Sequence, residues 1–113
     1  MDYHDLPGWF VVEVGRRQAW PFVTFADPAS GDEARLYIDA MFRVGSTDVV
    51  DRDEDAAIVA LLQLEGLTVQ RVHRDGAAIT LHFDDTSLSL SGTADARTSG
   101  DASWLTVQQS PAT

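Results

Sequence analysis

The chain has 113 residues, 44% of them hydrophobic and 23% charged, which fits one globular domain with a single core. Its formal net charge of −10 repels phosphate backbones and anionic lipid surfaces, so neither nucleic acid nor membrane is an expected partner. The absence of cysteine excludes disulfides, thiolate nucleophiles and zinc–thiolate sites together.

The first ten residues, MDYHDLPGWF, have neither a basic start nor an apolar h-region, so no signal peptide is expected and the reading is cytoplasmic. A first three-stranded antiparallel unit is predicted over about 9–39. Its strands are VVEV, WPFVTFA and ARLYIDA, with Val23, Phe25, Leu36 and Ile38 pointing inward. Arg17-Gln18 would make its first turn, with poor turn chemistry, and 27–33 (DPASGDE) a longer loop. One helix is predicted over about 53–65: Asp51 and Glu54 resemble a capping box, Ile58, Leu61 and Leu62 follow at helical spacing, and Gly66 suits the C′ position. The longest apolar run, 56–62, is too short to cross a bilayer. A second three-stranded unit follows over about 67–91. Asp75-Gly76 marks its hairpin, Ile79, Leu81 and Phe83 alternate with polar residues, and Leu88 and Leu90 face inward. Residues 92–102 read as loop by composition, 103–108 as a short last strand and 110–113 as a loose tail.

The two units match each other. Sliding the chain by 58 residues aligns Leu6 with Leu64, Gly8 with Gly66, Val11 with Val69 and Val14 with Val72. It also aligns Arg16 with Arg74, Ala19 with Ala77, Phe25 with Phe83 and Asp27 with Asp85. Those are eight identities between 6–27 and 64–85, where unrelated chains of ordinary composition give about one or two. The expected fold is therefore α+β. Two duplicated units, within 6–39 and 64–91, share one core as a curved sheet or a barrel-like form.

The second unit, LEGLTVQRVHRDGAAITLHFDD with the later DASWLTV, resembles a family of small bacterial proteins, domain of unknown function family 6188. Gly66, Val69 and Val72, then Phe83 to Asp85, then Trp104 carry the resemblance, which covers mainly 64–107. Thr86 departs from the glycine common in such turns, and Ser103 and Ala102 separate Trp104 from Asp101. The resemblance implies a high-GC bacterial origin, in keeping with basic residues that are all arginine, and implies no activity.

The outward positions of the two units differ. Ala78, Thr80, His82 and Ser89 suit water, whereas Trp20, Phe22, Thr24 and Tyr37 form an apolar, aromatic face. Phe10 and Val12 join that face if a bulge shifts the register. Three explanations compete for it: cover by the helix, a homodimer or partner interface at Trp20, Phe22 and Tyr37, or an apolar ligand pocket. For chemistry the sequence offers little. The acidic run 48–57 lacks the pattern of a calcium loop and is explained by helix capping. No nucleophile, phosphate-loop or dinucleotide motif occurs, and no catalytic residue, cofactor or metal ligand is assigned. The functional expectation is a non-catalytic protein-interaction module, with a homodimer as one form and a protein that neutralises a basic partner as another. The alternative is a ligand-binding or enzymatic barrel with His82, Asp84 and Arg74 at a pocket mouth.

Overall fold

The computed structural model describes residues 3–18, 20–38, 41–49, 55–76 and 78–90, and the backbone of 103–108. After a 3-10 turn at Tyr3–Asp5 come β1 (Phe10–Arg17), β2 (Trp20–Ala26), β3 (Glu33–Ile38), β4 (Phe42–Val44) and β5 (Thr47–Val49). Then follow α1 (Asp55–Leu62), β6 (Arg71–Asp75), β7 (Ala78–His82), β8 (Ser87–Leu90) and β9 (Ser103–Gln108). The fold is α+β, with one helix and two antiparallel sheets. Sheet A has the order β1-β2-β3-β9 and sheet B the order β5-β4-β8-β7-β6. Neither closes on itself, so no barrel forms among the described residues. The capping residues expected at 51 and 54 lie outside the described residues.

The two sheets have matching registers. In sheet A, Val14 pairs with Val23, Gly15 with Phe22 and Arg17 with Trp20. In sheet B, Val72 pairs with Leu81, His73 with Thr80 and Asp75 with Ala78, each position displaced by 58. The next pairings, Phe22 with Tyr37 and Val23 with Leu36, correspond to Thr80 with Ser89 and Leu81 with Leu88, the third strand of the second sheet arriving six residues sooner after a shorter turn. Burial follows suit. Leu6 and Leu64 are both 0% exposed, Val11 and Val69 both 1%, and Leu36 and Leu88 both 0%. A bulge does interrupt β1 between Val11 and Glu13, leaving Val12 exposed.

The sheets are joined where the chain entering β1 runs antiparallel to the chain leaving α1. Gly8 N–H donates to Val69 C=O and Gly66 N–H to Val11 C=O; Val11 N–H donates to Leu67 C=O and Val69 N–H to Trp9 C=O. Each pair of bonds interchanges under the 58-residue shift, with the Phe10–Thr68 bridge between them. The fourth strands cross over. After β3, β4 adds to β8 in sheet B, and after β8, β9 adds to β3 in sheet A. Helix α1 contributes Ala57, Ala60 and Leu61 to the core between the sheets, together with Val23, Phe25, Leu81 and Leu88. It ends in i→i+3 turns up to Leu64, and Gly66 adopts φ +81°.

The β4–β5 hairpin was not anticipated. Gly45 opens its turn at φ +59°, and Phe42, Val44 and Val49 supply its buried side. The poor turn chemistry at Gln18 has a physical consequence. Gln18 sits at φ +56°, where its counterpart Gly76 sits at +63°, and among the described residues it is the one non-glycine with positive φ. Left-handed backbone costs a side-chain-bearing residue about 1–2 kcal/mol, partly offset by the extra unfolded-state entropy of glycine. Gln18→Gly should therefore stabilise the protein by about 0.5–1 kcal/mol, read from the urea midpoint at unchanged slope.

Candidate functional site

Three surfaces are candidates: the outer face of sheet A, the outer face and end of sheet B, and the outer side of α1. On sheet A, the aromatic residues do point away from the core, and the helix does not cover them. Ala57, Ala60 and Leu61 belong to the core cluster on the opposite side of the sheet, and Phe22 does not. The face is instead closed by its own side chains. Phe22 packs across Gly15 on the edge strand β1, so close that a Cβ at Gly15 would lie 2.7 Å from the ring's Cζ. Tyr37 meets the Phe22 ring edge-on at 5.9 Å, and the Arg35 guanidinium lies over it at 4.2 Å from the centroid. Arg35 is held by two neighbours that also bond each other. Its Nε donates to Thr24 Oγ1 at 3.0 Å, its Nη2 meets Glu13 Oε1 at 3.0 Å, and Thr24 Oγ1 donates to that same oxygen at 3.5 Å. Phe22 is thus only 8% exposed and Thr24 1%, with Trp20 and Tyr37 half-buried at the flanks. Of the three residues expected to form an interface, Phe22 is closed to a partner.

On sheet B the outer face is polar. One row across it reads Asp48, Arg43, Ser89, Thr80 and His73, and the next Ser87, His82 and Arg71. Arg43 holds Asp48 through Nε at 2.6 Å and Nη2 at 3.2 Å, and the Asp48 carboxyl is held below its usual range by that bond. Ser89 and Thr80 share a hydrogen bond of 3.2 Å. The residues expected at a pocket mouth do not converge. His82 is on this outer face. Arg74 shares the row of buried Ile79, on the core side, and turns back to donate to Gly76 C=O at 3.2 Å. Asp84 is exposed in the turn closed by Phe83 N–H to Thr86 C=O. A cavity of about 430 Å³ does open on sheet B, at the end where β4 and β7 begin and β5 and β8 end. Its walls are Met41, Phe42, Arg43, Asp48, Val49, Ala78, Ser89 and Leu90, and none of His82, Asp84 or Arg74. Among the described residues no three His, Asp or Glu side chains come together to hold a metal ion.

On α1 the sequence is apolar almost all round. Its inner side is buried, but Val59 is 61% exposed and Leu62 46%, one turn apart on the outer side with Ala56. Exposed acidic residues, Asp55 and Glu65, mark the two ends of that stripe. Among the described residues no helix is long and apolar enough to cross a membrane. No protein-family model, curated protein or solved structure matches the chain.

Two predictions test these surfaces. Gly15→Ala should destabilise by about 1–3 kcal/mol, because the Phe22 ring is held between Arg35 and Tyr37 and cannot step aside. Adding Phe22→Leu should recover part of that loss in a double-mutant cycle measured by urea denaturation. His82 is held below its ordinary 6.5 by burial first, then by the positive charges of Arg71 and His73. The unfolded chain therefore takes up the His82 proton more readily than the folded one, so stability present above about pH 6.5 is lost as pH falls. His82→Gln should flatten the fall in the denaturation midpoint between about pH 7 and pH 5.

Proposed function

We propose that this protein is a non-catalytic protein-interaction module, built by internal duplication, that docks a basic protein partner through the outer side of α1. The observation that carries the reading is the pair of exposed aliphatic side chains, Val59 and Leu62, on a helix of a chain with net charge −10. Apolar side chains at this exposure are the kind of anchor a partner buries, and the acidic surroundings favour cations at the rim. A second copy would bring −10 against −10, which argues for a partner of opposite charge over a homodimer. The duplication is supported by the repeated registers, by the interchanging hydrogen bonds at 8–11 and 66–69, and by the equal burial of matched residues. The resemblance to family 6188 and a cytoplasmic location belong to the same proposal. The first adds no activity, and the second accords with the absence of cysteine.

A designed Leu/Lys amphipathic helical peptide is a suitable probe, titrated calorimetrically into wild type and into Val59→Ser/Leu62→Ser. Wild type should bind it, more weakly as salt rises, and the double variant should bind at least about tenfold more weakly. Equal binding by the two would show that charge alone attracts the peptide and would remove the helix from the reading. Light scattering on the same samples decides the remaining occupant. A wild-type dimer that the double substitution dissociates would replace the basic partner with a second copy.

A further inference from the structure

We propose that the cavity at the end of sheet B, where β4 and β7 begin, is a binding site for a neutral, mainly apolar small molecule carrying one carbonyl-type acceptor. Its size, about 430 Å³, lies within the range of small-molecule sites. Its composition fits as well. Met41, Phe42, Val49, Ala78 and Leu90 offer apolar surface, while Arg43, Asp48 and Ser89 supply the few polar groups that orient a ligand. The walls are preformed, because Phe42 is locked in register against Val49 on one side and Leu90 on the other. Met41, 54% exposed, adds an unbranched, polarisable side chain that adapts to the shape of an occupant.

The polar groups select the head group. Asp48 takes Nε and Nη2 of Arg43, so the pair is internally neutralised, and Nη1 is the guanidinium nitrogen outside those two bonds. A carboxylate would gain little from a neutralised arginine and would meet the field of a −10 chain. A cation would compete with Arg43 for a carboxylate already bound in two places. A neutral carbonyl, as in a ketone, ester or amide, can accept from the guanidinium or from Ser89, whose hydroxyl is shared with Thr80. This site is independent of the docking helix.

Nile red, a neutral dye with a ring carbonyl, is the probe, and anilinonaphthalene sulfonate is its anionic counterpart. The test is fluorescence titration of wild type, Met41→Trp, Ala78→Leu and Val59→Ser/Leu62→Ser, each confirmed as folded by circular dichroism. Saturable binding of Nile red to wild type should weaken by about tenfold or more in both cavity-filling variants and persist in the helix variant. Anilinonaphthalene sulfonate should bind wild type at least about tenfold more weakly than Nile red does. Absence of saturable Nile red binding, equal binding by the filled variants, or loss of binding in the helix variant overturns the site. Tighter binding of the sulfonate overturns the assignment of a neutral ligand.

Discussion

The reciprocal backbone pairing of 8–11 with 66–69 is the constraint on which the rest of the structure depends. Four hydrogen bonds, exchanged in pairs by the 58-residue shift, fix the chain entering β1 against the chain leaving α1. Each contributes only about 1 kcal/mol net, but leaving such groups buried and unpaired would cost more than that. Their larger effect is geometric. They place Leu6, Leu64, Val11 and Val69 together in the core, each 1% exposed or less. They also set the two sheets so that the strand after β3 can reach β8 and the strand after β8 can reach β3. Each half then lacks its own fourth strand and completes the other's sheet. Such a chain cannot bury its apolar surface one half at a time, and this is why its 113 residues make one core and not two small domains.

The same framework carries two different outer surfaces, and Arg35 explains how one of them is tolerated. At matched positions, Gly15, Phe22 and Tyr37 in sheet A stand where His73, Thr80 and Ser89 stand in sheet B. An aromatic pair on an outer face would expose contiguous apolar area and invite association. The glycine lets the tip of the Phe22 ring come up against β1, and the Arg35 guanidinium roofs the ring while bonding Thr24 and Glu13. The pairing of Arg35 with Glu13 is worth little as a surface ion pair, but it orients the planar guanidinium over the ring. Sheet B needs no such roof, because its serine, threonine and histidine side chains are at home in water.

Much of this framework was legible in the sequence, and the failures have identifiable causes. Period-two alternation in AITLHF, carried to WPFVTFA by the 58-residue match, put Val23, Phe25, Ile79, Leu81 and Phe83 inward with Leu36, Ile38, Leu88 and Leu90 of the third strands, and all of these are buried. The helix was visible as an apolar run, although its near-uniform apolarity hid which side would remain exposed. The β4–β5 hairpin was missed because each strand is only three residues long, too few for alternation to register. Gly45-Ser46 between Val44 and Thr47 was the available signal. Closure of the aromatic face by Arg35 was beyond sequence reading, since a cation over a ring depends on which strands are neighbours. The failure of Arg74 and His82 to converge has the same origin. They are placed on opposite sides of one hairpin by pairing with Ile79 and Arg71.

Function in such a fold is best sought where the two halves differ most, because matched positions are answerable to the shared framework. The outer-face substitutions are one such difference, but on sheet A they are spent on sealing the surface. The larger difference is the segment from β5 through α1, which has no counterpart among the described residues of the second half. That segment contributes to both of the surfaces proposed for binding. Asp48 and Val49 of β5 form one wall of the cavity, and Val59 and Leu62 of α1 form the exposed stripe. A helix that served only to fill the core would carry polar residues outward, as its neighbours Gln63 and Glu65 do. Packing leaves the exposed aliphatic side chains at Val59 and Leu62 unexplained, and they are the feature that the proposed docking surface would use.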